Sequence, residues 1–435
     1  MAHFYPYEFA DHIHRRLSAE PEKFQPELRP ERDVLAQLVS TLYQASLMRE
    51  EGRQSRFRLI LRTPEAFPAG QAPPEGLHRL VFDTTRPCSE DELRRLFPAT
   101  GFHRTMIGAS FDGDGRPRIW GVVHTGYRWL EVMSGGTRKI APLPDSLIFF
   151  VTGPGQITVT VGSSFIAALR GGRLITPSSE VFTAPWFHDI FAVHREELRE
   201  LHRKARRGKG KLWARLDPDF CVDLGQNLMR RIVSIVRRYR HGGIILIVPS
   251  ERTDELKGVN PFLSLKYTFQ VDKGRTRIHP HMARIMNEFA RVAGAARTVT
   301  APVCWSDYLA LTDPLLSELV ESLFEMANFL AEMTLVDGAV VLNQRFEVLG
   351  FGAEISGGLG GVPFVERALD IDGTMREPES VRGVGTRHRS AYRLCNALRD
   401  TLAIVTSQDG HVRFIRWHDG AVTCWDQVAT SIFDF

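Results

Sequence analysis

Two short segments in the second half of the chain combine residue types that suit phosphate chemistry. Asp337-Gly338-Ala339 stands at the start of a predicted strand, and Gly385-Thr386-Arg387-His388-Arg389 stands at the head of a predicted helix. An acidic residue followed by two small ones can hold a divalent cation and lets a ligand touch the backbone. Guanidinium forks, an imidazole and the N–H groups of a helix N-terminus together suit a polyphosphate. Either segment alone is typical of a charged surface, but together they indicate metal-assisted nucleotidyl chemistry.

Three other patterns are weaker. Asp112-Gly-Asp-Gly115 begins like a calcium loop, but Pro117 occupies the sixth position, where such a loop needs glycine, so a hairpin turn is favoured. His279 and His281 could ligate a metal, yet no companion cluster of Cys, His or Asp stands nearby in the sequence. Two ordinary histidines at a helix start are the better interpretation. Gly357–Gly361 neither follows a strand nor opens a helix, which favours a flexible loop over a dinucleotide fingerprint.

The elements that must position these residues alternate between helices and strands. Val222–Arg240 carries apolar residues at helical spacing, and Ile244–Pro249 has the length and composition of a buried strand. Thr312-Asp313-Pro314 is a strong helix start for Leu315–Leu330. Further strands are predicted at Val336–Leu342, Phe346–Phe351, Ala403–Ser407 and His411–Trp417, and a helix at Arg389–Arg399. This alternation predicts an α/β domain with a mixed sheet flanked by helices over residues 221–435.

The first half has a different pattern. A helix is predicted at roughly Pro30–Arg49, followed mainly by strands with Gly-rich turns, so residues 1–195 are predicted to form an α+β domain with a large antiparallel component. Residues 196–220 are predicted to link the two domains. Between Arg195 and Arg215 there are nine Lys or Arg against three Glu, a local excess of six positive charges. A solvated linker is the favoured interpretation, and contact with a polyphosphate or nucleic acid is the alternative.

Composition excludes several classes of protein. The 435 residues are 43% hydrophobic and 24% charged, as in ordinary globular proteins, which excludes collagen, a wholly disordered chain and a disulfide scaffold. The formal net charge of +4 is too small to imply nucleic-acid binding by itself. Five well-separated cysteines form no CxxC pair, and the first residues do not resemble a signal peptide. No apolar run approaches the length of a membrane span. We therefore expect a cytoplasmic protein without a membrane partner.

Three segments in this order resemble the signature segments of diadenylate cyclase (DAC) domains: Leu335–Leu342, Gly385–Ala391 and Ile404–Gly410. The resemblance extends from about Val222 to about Trp417. It implies an enzyme that condenses two ATP molecules into cyclic di-AMP and releases two pyrophosphates. By its position in the chain, the N-terminal half resembles the sensor-type domains that are fused to bacterial DAC domains, such as the type named DACNV. Its ligand is not implied.

The resemblance also implies roles for individual residues. Asp337 is expected to hold Mg²⁺ or Mn²⁺ and to help activate the attacking 3′-hydroxyl, with Arg387 and His388 as the other catalytic residues. The nucleotide contacts that it implies are Gly338, Ala339, Ile355 on adenine, Thr386, Arg387, His388 and Arg389 on the triphosphate, and Ser407 on phosphate. One such domain binds one ATP, so the product requires a homo-oligomer in which two domains face each other.

The chain departs from the DAC pattern at several places. Gly357–Arg382 lengthens the stretch between the first two segments, and this insertion could gate or block the site. Gln408 and Asp409 stand where some members have Glu, and Val336 stands where some have His. Two alternative functions are a non-catalytic nucleotide-sensing DAC-like module and a cyclase that makes another cyclic dinucleotide. A third is a nucleic-acid-associated protein that uses Arg203–Lys211.

Overall fold

The computed structural model describes residues 3–20, 24, 28–72, 76–126, 145–162, 164–176, 181–209, 212–270, 277–296, 301–311, 313–408 and 410–427. The chain divides into two units, of which the first contains the described residues up to 176 and the second those from 181 onwards.

The described strands of the first unit begin with a short ribbon and continue with one larger sheet. They are β1 (Arg49–Glu50), β2 (Arg53–Gln54), β3 (Phe57–Leu61), β4 (His78–Pro87), β5 (Thr105–Phe111), β6 (Pro117–His124), β7 (Leu147–Gly153), β8 (Gln156–Val161), β9 (Ser164–Arg170) and β10 (Arg173–Ile175). β1 pairs with β2, and the others form a sheet in the order β10-β9-β8-β7-β3-β5-β6-β4. Among these described pairs, only β3 and β5 run parallel. The α+β prediction with a large antiparallel component is therefore confirmed.

Helices cover one face of this sheet. They are α1 (Pro6–Ala19), α2 (Arg32–Leu47) and α3 (Glu90–Leu96). Leu35 and Leu42 lie two turns apart on α2 and are buried with Phe9 of α1 and Phe149 of β7 in one apolar core. The Asp112–Gly115 turn joins β5 to β6, with the Asp112 carboxylate accepting the backbone N–H of Asp114 at 3.0 Å. The hairpin interpretation of that segment is confirmed.

The second unit is built on a larger mixed sheet. Its described strands are β11 (Gly243–Val248), β12 (Leu263–Thr268), β13 (Ala339–Asn343), β14 (Val348–Ile355), β15 (Phe364–Ala368), β16 (Arg376–Ser380), β17 (Leu402–Thr406), β18 (Val412–His418) and β19 (Ala421–Gln427). Their order is β12-β14-β13-β11-β17-β18-β19-β15-β16, and the parallel pairs among them are β11 with β13 and β15 with β19. The predicted mixed sheet is confirmed.

Helices lie on both faces of this sheet. They are α4 (Pro185–Ile190), α5 (Ala192–Arg206), α6 (Phe220–Arg238), α7 (Thr253–Lys257), α8 (Ile278–Ala296), α9 (Trp305–Ala310), α10 (Pro314–Glu332) and α11 (Thr386–Ala397). Side chains of a strand alternate between faces. Accordingly, Ile245 belongs to the core formed with α6, α8 and α10, whereas Leu246 belongs to the core formed with α11. Burial on both faces explains the uninterrupted apolar sequence of β11.

The segment predicted as a linker, residues 196–220, has another structure. Residues 196–206 belong to α5, whose Leu198 and His202 are buried in the second unit. His202 Nδ1 lies 2.8 Å from Asn287 Oδ1 of α8. The change of unit therefore lies between residues 176 and 181 rather than near 195, because Phe182 and Phe187 join the core of the second unit. Residues 210 and 211 of the basic segment lie outside the described residues.

The predicted insertion, Gly357–Arg382, contributes regular structure. It contains β15 and β16, which pair with each other, and β15 extends the sheet by pairing with β19. In the strand order, β11, β17, β18 and β19 separate this hairpin from β13, the strand that follows Asp337. The hairpin therefore forms one edge of the sheet, beyond β19 and not beside β13. No helix within the described ranges combines the length and apolarity needed to cross a bilayer.

Candidate functional site

The pairing of the central strands brings the predicted site segments to one edge of the sheet. This edge is the side at which β11 and β13 begin, and it is called the site edge only in this sense. β11 and β13 are parallel, so both begin at this edge, and the antiparallel β17 ends there. Ala339 pairs with Ile244, and Gly243 pairs with Thr406. Asp337 and Ser407, which flank paired residues, therefore reach the same edge from segments seventy positions apart.

Asp337 presents its carboxylate to solvent. Its side chain is 98% exposed, and its Oδ1 lies 3.9 Å from Nη2 of Arg387, which is itself 34% exposed. This is a long and weak ion pair, so the carboxylate remains open to other partners. The second terminal nitrogen of Arg387, Nη1, lies 3.2 Å from the position that a Cβ atom would occupy if Gly242 had a side chain. Arg387 therefore spans the space between the Asp337 segment and the beginning of β11.

The backbone around Gly338 is tightly packed. Gly338 has φ +112°, and a Cβ built on it would lie 2.5 Å from the carbonyl carbon of Gly352 in β14. L-residues rarely adopt this conformation, and the adjacent backbone leaves no room for a side chain. The next residue, Ala339, is buried at the start of β13. Glycine is required here because β14 crosses directly beside the segment that carries Asp337.

The helix α11 begins at this edge. Gly385 is the N-cap residue of this helix and makes no side-chain hydrogen bond to it. The N–H groups of the first turn therefore point at the site without a competing side-chain oxygen. Thr386 and Arg389 are exposed, whereas Arg387 and His388 are half-buried. The positive end of the helix dipole and the two guanidinium groups favour an anion at this position.

A role in phosphate binding suggests a positively charged imidazole at His388, but the structure indicates a neutral one. Burial, with Arg413 as the next cause, lowers its pKa to about 4. The imidazole is therefore neutral at pH 7 and can donate one hydrogen bond, but it adds no positive charge. Arg387 and Arg389 carry the permanent charge of this segment.

A half-buried ion-pair network joins α11 to the neighbouring strands β16, β18 and β19. Arg413 of β18 donates to Oη of Tyr392 on α11 at 2.6 Å, to Oε1 of Glu379 at 2.7 Å and to Oδ1 of Asp426 at 2.8 Å. Glu379 lies on β16, so the predicted insertion supplies one of these carboxylates. The sequence analysis missed this network, because a single arginine in an alternating strand pattern gives no signal of its partners.

The remaining predicted contacts lie at the ends of strands. Ser407 follows β17, and its Oγ accepts the backbone N–H of His411 at 3.1 Å. A hydroxyl that accepts in this way keeps its proton for donation. Ile355 is the half-buried last residue of β14 and pairs with Leu263. Asp409, one of the departures from the DAC pattern, lies outside the described residues.

The donor set at Asp337 can be compared with the needs of a divalent cation. Mg²⁺ usually takes one or two carboxylates and completes its shell with water and substrate phosphate oxygens. Asp337 supplies one exposed carboxylate, and within the described part of the chain it joins no cluster of three His, Cys, Asp or Glu ligands. These residues therefore suit a cation that is shared with a bound phosphate, not one held by the protein alone.

Comparison with known proteins identifies part of the first unit. Residues 25–124 match the family model described as the probable sensor domain DACNV. The match runs from before α2 to the last residue of β6. This region is therefore similar to the sensor domain that the N-terminal half was expected to resemble. No match was found among curated proteins.

The chain also matches several solved structures, including one from Bacillus cereus. It is titled the crystal structure of the hypothetical membrane spanning protein from Bacillus cereus, is 15% identical, and covers 55% of this chain and 91% of that one. The TM-score is 0.21, which is too low to support an argument about fold or function.

Proposed function

We propose that the second unit is a diadenylate cyclase that condenses two ATP molecules into cyclic di-AMP, and that the first unit regulates it. The observation that carries the proposal is the edge where Asp337, Arg387, Ser407 and the uncapped start of α11 meet. The DACNV match at residues 25–124 supports it, because that name describes a sensor domain. The cytoplasmic location remains an expectation.

The proposed roles in ATP binding follow from charge and exposure. The Arg387 guanidinium and the N–H groups of the first turn of α11 would hold the triphosphate. Arg389, exposed on the same turn, would add a second cation, and the Ser407 hydroxyl would donate to a phosphate oxygen. Adenine would lie against Ile355, where β14 ends in a half-buried apolar side chain.

The proposed reaction is an in-line displacement at phosphorus. The 3′-oxygen of one ATP forms a bond to the α-phosphorus of the other, the bond from that phosphorus to the bridging oxygen breaks, and pyrophosphate leaves with the electron pair. The 3′-hydroxyl proton is lost, and the exposed Asp337 carboxylate would orient that hydroxyl and accept the proton. Arg387 offsets the charge that develops on the leaving phosphates. Mg²⁺ or Mn²⁺, held by Asp337 together with phosphate oxygens, would supply further charge stabilisation when bound.

A cyclic product requires two such attacks. Each unit would bind one ATP, so two copies must face each other and exchange the roles of attacking and attacked nucleotide. The 98% exposure of Asp337 is compatible with this arrangement, because the carboxylate is presented outward, where a second nucleotide can approach. ATP and a second copy of the chain are therefore the proposed partners, together with a ligand of the first unit.

The test is product formation by the full chain. The protein is incubated with each nucleoside triphosphate and either Mg²⁺ or Mn²⁺, and the products are resolved by mass. We expect cyclic di-AMP from ATP, and loss of at least 100-fold of this activity in Asp337→Asn, about the scale of a well-placed general base. Asp254→Asn is the control, because Asp254 is an exposed carboxylate on α7, beyond the opposite end of β11.

Three results would change the assignment. ATP binding without turnover would favour the nucleotide-sensing module, and another cyclic dinucleotide would change the substrate. Equal activity of Asp337→Asn and the wild type would remove Asp337 from the mechanism.

A further inference from the structure

A second group of potential ligands lies elsewhere in the second unit. His194 and Glu197 stand three positions apart on α5, and His279 is the second residue of α8. One ligand atom from each lies within 4.8 Å of the others. In the sequence, His279 and His281 were the two histidines considered as possible metal ligands. Nε2 of His281, however, lies 2.7 Å from the carbonyl oxygen of Leu319. His279 finds its companions on another helix.

Three ring nitrogens of this group are buried and have no hydrogen-bond partner among the described residues, although His279 as a whole is only half-buried. His194 is 3% exposed, and neither of its ring nitrogens has a partner among the described residues. The same holds for Nε2 of His279. The two rings lie with their centroids 4.4 Å apart. Buried polar atoms are normally paired, so several unpaired nitrogens that face one another require an explanation.

We propose that His194, Glu197 and His279 bind a divalent transition-metal ion of the zinc class, which joins α5 to α8. Two imidazoles and one carboxylate are a common donor set for such ions. The ion would supply a partner for one unpaired nitrogen of each imidazole. This proposal concerns different residues from the proposed cyclase site and does not depend on it.

The geometry is close to what such an ion needs. Zn–N and Zn–O bonds are about 2.0–2.2 Å, so ligand atoms in a tetrahedral site lie about 3.3–3.5 Å apart. His279 Nε2 lies 3.9 Å from Glu197 Oε2, and no pair exceeds 4.8 Å. The ligand atoms would therefore have to approach one another by at most about 1.5 Å for a tetrahedral ion to bind. The remaining coordination position would be open to water.

The electrostatic surroundings suit neutral imidazole ligands. Burial lowers the pKa of His194 to about 3 and also lowers that of His279, so both rings are deprotonated at neutral pH, as metal binding requires. Arg345 donates through Nε to Glu197 Oε2 at 2.8 Å and through Nη2 to Oε1. Such an outer partner fixes the orientation of a ligating carboxylate. Glu347 lies in the same groove and offsets the charge of Arg345.

The site is open to solvent on the side of Glu197 and His279. Glu197, His279, Arg345 and Glu347 line an open surface groove, through which an ion can enter. His194 instead lines a small internal cavity of about 20 Å³ next to Phe346. A cavity of this size has room for one water molecule, so a bound water is the competing explanation for His194. It would leave the convergence of Glu197 and His279 unexplained.

The test is metal uptake by the full chain. Protein treated with a chelator and then dialysed is titrated with Zn²⁺ by calorimetry, and the bound metal is counted by elemental analysis. Co²⁺, which binds zinc sites, is added separately, and its visible absorption reports nitrogen and oxygen ligands in a low-coordinate site. We expect about one ion per chain, and a melting temperature that rises when Zn²⁺ is present.

Variants distinguish this site from adventitious binding, including binding to cysteines. In Glu197→Gln and His279→Ala, we expect affinity to fall more than about 100-fold, beyond the range for losing an outer-shell partner. The thermal shift should also disappear. Glu200→Gln is the matched control, one turn further along the same helix, and should bind as the wild type does.

Several outcomes would overturn the proposal: no stoichiometric uptake by the wild type, uptake that is unchanged in Glu197→Gln, or a Co²⁺ spectrum dominated by thiolate charge transfer. If His279→Ala fails to fold, Glu197→Gln and the wild-type cobalt spectrum still decide the question. Cyclase activity is not used as a readout, so failure of this proposal and failure of the proposed function are distinguishable.

Discussion

Replacing Gly338 with alanine tests the packing beneath the Asp337 segment. At φ +112° an alanine would be strained whatever space it had, at a cost of about 1–3 kcal/mol. Its Cβ would also stand 2.5 Å from the carbonyl carbon of Gly352 and 2.8 Å from the backbone nitrogen of Ala353. Backbone atoms of a central strand cannot rotate away, so the overpacking adds about 1–3 kcal/mol. We expect a total loss of about 2–6 kcal/mol in the free energy of unfolding.

The measurement is urea unfolding of Gly338→Ala, Gly357→Ala and the wild type under the same conditions. Gly357 has no neighbouring atom within 4 Å of an added Cβ and no positive φ, so its variant should remain within about 0.5 kcal/mol of the wild type. In a unit of this size, each kcal/mol lowers the melting temperature by about 2–4 °C. A loss below about 1 kcal/mol in Gly338→Ala would mean that β13 and β14 do not approach each other as described.

Three further predictions concern binding, assembly and pH. Arg387→Ala should weaken ATP binding and turnover together by about 10- to 150-fold, since a hydrogen bond to a charged group contributes about 1.5–3 kcal/mol. The control is Arg284→Ala, which removes an exposed arginine of α8. Unchanged ATP affinity in Arg387→Ala would mean that the phosphates bind elsewhere. Specific activity should rise with protein concentration until facing copies saturate, and ultracentrifugation beside the rate assay checks this; a monomer with full, concentration-independent turnover refutes the two-site reaction. Burial raises the pKa of Asp223 on α6 from 3.8 to about 6, so the folded state binds more protons than the unfolded state in this interval, and stability should fall as pH rises from about 4 to 6. Asp223→Asn should remove that part of the pH dependence, and identical profiles of unfolding free energy for variant and wild type would contradict it.

The sequence determined the elements whose signal is local. The uninterrupted apolar run of β11 and the apolar spacing of α6 reflect burial on their own faces, and both elements form where they were predicted. Asp313 caps α10, with its Oδ1 accepting the N–H of Leu316 at 2.9 Å, and Pro314 follows it as the pattern indicates. Periodicity, caps and turns depend on neighbours a few residues away, so one sequence is enough to find them.

Element boundaries and membership were less predictable. β13 begins at Ala339, not at Val336, because the left-handed backbone at Gly338 cannot continue a strand. The sequence analysis did not predict helix α1, although Phe9, Ile13 and Leu17 lie on one buried face of it. The charged residues 196–206 were interpreted from the sequence as part of a solvated linker. In the structure they belong to the second unit, into which a few of their side chains are buried.

Only the tertiary structure decided which distant residues meet. The sequence gives no measure of the distance between His194 and His279, which stand 85 positions apart, and it points His279 toward the wrong neighbour. Likewise, Arg413 finds Glu379 only because β15 joins the sheet beside β19 and carries β16 with it. Such encounters depend on strand order, register and helix packing. These arise from the burial of whole faces, and no local pattern of residues records them.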